Sequence, residues 1–295
     1  DLIWFRNHVN TTADKGASAL LTADIDLTAS EKWTAGISGY SGIFNGQGHI
    51  ISGLSLTQTN AATGAGYALF AKTTTDARIL NVGLDTASVT AYKRANRGYI
   101  DIQTAALVGI NSGSIFNCFV SNSTVTVQSK STPKSGVLCG SNAGSIENCF
   151  VINSEVLDKS NKTYLGGIAG ENTGTVKSVY SVNVRISTTS TANIHPIATG
   201  SIENAYYEQS QDDSRTFTGG EKKEKEWFLS DDAIEALGNM YFSKGTNAAN
   251  NGYPVLTFYD GSSSAEVNKS KLKEVLDALP AEGYYTTNDR YNGKL

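Results

Sequence analysis

The sequence predicts an all-β chain, a right-handed parallel β-helix made of three-strand coils of about 30 residues, on three observations. A phrase recurs, clearest as Gly113-Ser-Ile-Phe-Asn-Cys-Phe-Val120 and Gly144-Ser-Ile-Glu-Asn-Cys-Phe-Val151, with weaker copies at Ile79–Leu84, Gly174–Ser181 and Gly200–Tyr207. Its apolar anchor falls at Ile51, Ile79, Ile115, Ile146, Val176 and Ile202, in steps of 28, 36, 31, 30 and 26 residues. Two further apolar columns keep pace with it: Leu69, Leu107, Leu138, Ile168 and Ile197 upstream, and Val89, Val125, Val156 and Ile186 downstream. Each column sits in a run of four to six residues, too short for a helix and rich in β-branched side chains. The connectors Gly109–Gly113, Gly140–Gly144 and Gly170–Gly174 place Gly and Asn where positive φ is cheap. Matching positions in successive coils of such a solenoid stack about 4.8 Å apart.

Taken in order, residues 1–10 carry Leu2, Ile3, Phe5 and Val9 at helical spacing, the pattern of an amphipathic N-terminal cap over the first coil. Leu21 to Leu27 alternates, which turns Asp24 and Asp26 outward; this pair reads as solvated surface, with a calcium site as the alternative. Trp33 and Tyr40 follow. Two insertions, 57–66 and 90–103, interrupt the repeat, and the second holds Tyr92, Lys93, Arg94, Arg97 and Tyr99. Insertions in solenoids form loops, and such loops often bind.

From Leu107 to Tyr207 the coils are regular. Asn111, Asn142 and Asn172, and Asn81, Asn117, Asn148 and Asn204, keep register and read as amide ladders at corners. The outward column Phe116, Glu147, Lys177 and Glu203 reads as a salt-bridge ladder. A catalytic pair of Glu147 and Glu203, two coils or about 9.6 Å apart, is disfavoured because Lys177 between them holds both carboxylates ionised. After Tyr207 a helix is expected over Ser230–Gly238, with Ser230 as N-cap and Gly238 as stop, then a closing strand over 251–258. These form a C-terminal helix and strand cap whose apolar side is Trp227, Phe228, Tyr241 and Phe242. The domain division is therefore 1–260 for the capped β-helix, 261–268 for a Gly/Ser linker, and 269–295 for the start of a further helical module.

The phrases Ala106-Leu-Val-Gly109, Val137-Leu-Cys-Gly140 and Gly167-Ile-Ala-Gly170, each followed by Ile-x-Asn-Cys or its equivalent, resemble the GLUG-motif repeats of bacterial cell-surface proteins. The openings at 2–9, 23–27 and 44–54 are similar to that family as well, and similar β-helical segments occur in immunoglobulin A1 proteases. The last coil departs from the pattern, since its Gly-x-Asn-x-Gly turn shrinks to Ala198-Thr-Gly200. The resemblance implies an exported, multi-domain bacterial surface protein, extracellular or surface-anchored, whose signal and anchor lie outside these 295 residues.

Composition narrows the function. The net charge of −4 is mild and spread out, which disfavours nucleic acid, and no stretch has the length of a membrane span. Cys118 and Cys149 share one register and Cys139 occupies another, at positions that Val and Ala fill in other coils. They read as free core thiols, with a Cys118–Cys149 bridge as the alternative. Neither a metal nor a cofactor is implied. The expected function is a non-catalytic module acting as adhesin, spacer or carbohydrate-contacting surface, with a polysaccharide lyase or glycoside hydrolase as the alternative. The expected partners are a host or dietary glycan, a host surface protein, and further domains of the same polypeptide. The candidate ligand-binding residues are Tyr92, Arg94, Arg97 and Tyr99, flat rings beside cations, and then Trp33 and Tyr40.

Overall fold

The computed structural model describes residues 2–93, 101–129, 132–160, 163–188, 193–209, 213, 215–245 and 250–257. Stacked parallel strands dominate it. Parallel ladders form one sheet of fifteen strands and two of five, and a two-stranded antiparallel pair stands apart from them. This is the architecture of a parallel β-helix. The proposed linker and following module, 261–295, lie outside the described residues.

Each coil is more finely divided than three strands. The coil 102–128 carries five pairing segments, Ile102–Thr104, Val108–Asn111, Ser114–Phe116, Phe119–Ser121 and Thr124–Gln128. The first two segments build the two small sheets, and the last three merge into the large one. In the following coil the last three run together as one strand, Ser145–Asp158. The corners that separate them are left-handed residues: Asn81, Asn117, Asn148, Ser178 and Asn204 at one, and Thr86, Asn122, Asn153 and Asn183 at the next, all with φ between 48° and 53°. Asn tolerates this region at lower cost than other non-glycine residues, so its columns mark backbone geometry.

Part of one predicted ladder forms here, where Asn81 Nδ2 donates to Asn45 Oδ1 at 3.1 Å and Asn117 Nδ2 to Asn81 Oδ1 at 3.2 Å; the other ladder forms at the corner of Asn111, Asn142 and Asn172. Asn111 Nδ2 donates to Asn142 Oδ1 and Asn142 Nδ2 to Asn172 Oδ1, each at 2.7 Å. In the shortened last turn Asn172 Nδ2 donates instead to the Thr199 carbonyl at 2.9 Å, so backbone replaces the missing amide. The glycine at each of these turns is required by close approach: a Cβ on Gly144 would lie 2.0 Å from the Gly113 carbonyl oxygen.

The anchor column needs one correction. Phe44, not Ile51, pairs with Ile79, and Ala19 stands before Phe44. Ile51 belongs to the neighbouring column, between Ile25 and Leu84. The central residues Ile79, Ile115 and Ile146 are fully buried, as are Val89, Val125 and Val156 and the upstream Leu and Ile series.

The helix α1 (Leu2–Thr11) buries Leu2, Phe5 and Val9 against the first coil, where Phe5 meets Tyr40 edge-on at 5.8 Å and Phe44 at 6.0 Å. At the far end Phe217 packs onto the interior and meets the Tyr207 ring at 6.4 Å. The helices α2 (Lys225–Phe228) and α3 (Asp231–Leu237), and the antiparallel pair Phe242–Ser243 with Val255–Leu256, sit elsewhere. Their apolar residues Phe228, Leu237, Phe242, Tyr253 and Leu256 pack on the outer face of the large sheet, against Phe150, Tyr180, Val182 and Tyr206. The expected lid is thus a flank cover, and it takes Phe116 with it: that ring is 3% exposed and meets Tyr241 edge-on at 5.6 Å. Ser230 stands at the N-cap of α3, but its hydroxyl donates back to the Trp227 carbonyl at 2.7 Å. No helix among the described residues is long and apolar enough to cross a membrane.

Candidate functional site

The flank cover rests on a stack of rings. Strand alternation turns Ile50, Gly83, Phe119, Phe150, Tyr180 and Tyr206 outward in one register. Because parallel pairing repeats each position at one strand spacing, Phe119 and Phe150 stack at 4.9 Å and 5°. Phe150 and Tyr180 stack at 5.0 Å and 1°. Gly83 leaves the gap into which the first ring leans, since a Cβ there would lie 2.3 Å from the Phe119 ring. The beginning of this stack was readable in the sequence as the aromatic after Cys118 and Cys149 and at Tyr180 and Tyr206; its outward direction follows only once the register is fixed.

The described residues of 225–245 and 250–257 cover the later coils, and a groove of about 500 Å³ remains over the earlier ones. Ile50, Phe119, Phe150 and Ile152 supply its apolar surface, Asp24, Asp26, Ser52, Asp85 and Ser121 its polar side, and Asn250 of the flank segment its far end. Each carboxylate is held. Asp24 accepts from the Ile50 amide at 3.0 Å and lies 3.0 Å from His49 Nδ1. Asp26 accepts from the Thr28 amide at 2.8 Å and its hydroxyl at 2.7 Å. Those hydrogen bonds keep its pKa below the ordinary carboxylate value, so the group is ionised at neutral pH. Asp85 accepts from Ser121 Oγ and Asn122 Nδ2, both at 2.7 Å. Among the described residues no Lys or Arg lines the groove. Among the described residues no group of three or more His, Cys, Asp or Glu has metal-binding geometry, and Asp24 and Asp26 are part of the groove wall.

The sequence-predicted site residues divide differently. Trp33 and Tyr40 are 1% and 0% exposed: the strand Ile37–Tyr40 turns Tyr40 inward, where it tilts against Phe70 at 5.4 Å, and Trp33 lies under Arg6 at 4.3 Å. They are core residues and present no face to a ligand, a correction to the sequence reading. Tyr92 ends the strand Ser88–Tyr92 and is half-buried. Arg94, Arg97 and Tyr99 lie outside the described residues. The two insertions meet where they are described: the Ala61 amide donates to the Tyr92 carbonyl at 3.1 Å, Gly64 donates to Asp101 at 2.6 Å, and Lys93 Nζ donates to Asn60.

The charge column is shorter than predicted. Lys177 and Glu203 pair at 3.1 Å on an exposed surface, whereas Phe116 is covered. The sequence reading missed a more sheltered cross-coil pair, Lys134 with Glu171 at 2.6 Å, to which Ser141 adds a hydroxyl donor at 3.1 Å. All three cysteines are free and buried, with the Cys118 amide 3.4 Å from Cys149 Sγ. Burial pushes the Cys139 and Cys149 thiols well up, which removes the thiolate that redox or metal chemistry needs.

No protein-family model matches the chain, and no curated protein matches it. Among solved structures, that of a "putative immunoglobulin A1 protease" from Bacteroides ovatus matches over 85% of this chain and 89% of its own, with a TM-score of 0.51 and 21% sequence identity. The likeness is one of fold.

Proposed function

We propose that the chain is a non-catalytic, right-handed β-helical module of GLUG type from an exported bacterial surface protein, capped at both ends and acting as an adhesin that contacts carbohydrate. The observation that carries the reading is the meeting of the two insertions. Hydrogen bonds from Ala61, Gly64 and Lys93 join residues 60–64 of the first insertion to Tyr92, Lys93 and Asp101 of the second, with Tyr92 half-buried at the end of its strand, while the coils around them are regular. A solenoid commits its ladder positions to the neighbouring coils, so its insertions are the parts free to bind. Tyr92 and Tyr99 would stack on sugar rings, and Lys93, Arg94 and Arg97 would pair with carboxylate or sulfate groups.

The test is a glycan array that includes acidic and sulfated sugars, probed with the parent protein and with a variant carrying Tyr92→Ala, Arg94→Ala and Tyr99→Ala. The expected result is binding by the parent to an anionic glycan and loss in the variant, with an unchanged circular dichroism spectrum. Retained binding in the variant removes the insertion as the site. Absence of binding by the parent to any glycan leaves the module as a spacer.

A further inference from the structure

The groove beside the flank segment is independent of the insertions and has a different chemistry. Its apolar surface is the upstream continuation of the face on which the chain's own residues 225–245 and 250–257 already lie: Phe150 both stacks under Tyr180, which Phe228 and Phe242 cover, and lines the groove. One polypeptide segment therefore occupies the later part of this face, and among the described residues none covers the earlier part. What changes along the face is charge. The later part is aromatic, whereas the earlier part carries Asp26 and Asp85, which accept only neutral donors and have no ion-pair partner among the described residues. Asp24 has the ring of His49 beside it.

We propose that this groove docks an extended polypeptide segment of a partner protein, one that alternates apolar side chains with Lys or Arg. Its apolar side chains continue the contact that Phe228 and Phe242 make downstream, and its cations meet Asp26 and Asp85, which stand two coils apart, one on either side of Ser52. Alternation suits an extended chain, whose successive side chains point to opposite sides. The carboxylates are pre-positioned by their hydrogen bonds and lose little freedom on pairing. The attraction between these carboxylates and the cations is screened by salt, so binding weakens as ionic strength rises.

The probe is a fluorescein-labelled peptide, Phe-Lys-Phe-Lys-Phe-Lys, measured by fluorescence anisotropy against the full chain, with Phe-Glu-Phe-Glu-Phe-Glu as its charge-reversed control. Saturable binding of the first and none of the second is expected. The double variant Asp26→Asn, Asp85→Asn keeps oxygen acceptors for Thr28 and Ser121 and should fold, as thermal melting checks; it should bind about tenfold more weakly. Ser52→Trp, which fills the groove and leaves its charge intact, should abolish binding. A control that removes two carboxylates elsewhere, Asp232→Asn with Glu235→Gln, should bind like the parent. Equal weakening in that control, or full binding by Ser52→Trp, overturns the proposal, because the attraction is then to net charge. Tighter binding of a chitosan oligosaccharide than of the peptide, lost in the same groove variants, also overturns it and makes the groove a cationic-sugar site. Neither result bears on the insertions, whose variants leave the groove untouched.

Discussion

At the scale of single residues, position in the register decides what a side chain is worth. Ile146 is fully buried between Ile115 and Val176, so Ile146→Asp places a charge in the apolar interior and should abolish folding. Lys177, 48% exposed, makes one ion pair; Lys177→Ala should cost under about 1 kcal/mol. Equal losses in chemical denaturation would refute the register. Asp158 gives a pH signature. It is 5% exposed and accepts from the Ser160 amide at 2.9 Å and Thr188 Oγ1 at 2.7 Å, yet burial outweighs those bonds and raises its pKa. A carboxyl whose folded pKa exceeds its unfolded value binds more protons when folded. Its contribution is therefore complete below the unfolded value, near about 4, and is lost as pH rises through the folded one. Asp158→Asn should remove that slope from the stability profile as pH rises above about 4; an unchanged slope would assign it to another group. The thiols follow the same logic of position: unreduced protein should titrate three thiols after denaturation and none when native, and one thiol would establish a bridge.

At the scale of elements, the repeating parts were legible and the non-repeating parts were not. Ile115, Ile146 and Val176 announce their strands because a parallel stack demands the same residue class at the same place in each coil. Ile51 misled because an insertion displaces the early coils, and two inward columns a few residues apart, those of Phe44 and Ile51, fit one apolar phrase equally well. The helix Asp231–Leu237 was predicted from local signals, but its seat was not. The Tyr180 hydroxyl reaches the Pro254 carbonyl across 74 residues of sequence, a contact with no periodicity to reveal it. The candidate groove shares that origin, since Asn250 closes one end of a face that the repeats create. Tyr180 is thus the hinge pin of the flank cover. Tyr180→Ala should cost about 3–5 kcal/mol, with the loss concentrated locally: amide exchange should accelerate across 225–257 while Ser145–Asp158 stays protected. Uniform acceleration would show that the cover and the coils unfold as one unit.

At the scale of the whole molecule, each coil contacts its neighbours and little else, so its ends are its weak points. Phe5 plugs one end against Tyr40 and Phe44. Phe5→Asp should leave an open apolar end and produce concentration-dependent association, visible as a rise in mass by light scattering; a monomer with parental stability would show that α1 is dispensable. The five-segment coil also explains why the sequence suggested three. Merging the last three segments into a single sheet gives three faces, and the sequence pattern counts faces.

The seating of residues 225–245 and 250–257 along the flank has a mechanical meaning. Tension applied at Thr257 does not enter through the end of the large sheet, where Glu221–Lys222, paired with Tyr206 and Tyr207, would be the first strand to peel. It enters sideways, through the two-residue pair of Phe242–Ser243 with Val255–Leu256 and the rings laid on Phe150 and Tyr180. A short antiparallel pair opens one bond at a time, so this segment gives way at low force and lengthens the chain before any coil is loaded. Under such a load the flank cover is a shock absorber in series with a stiff rod.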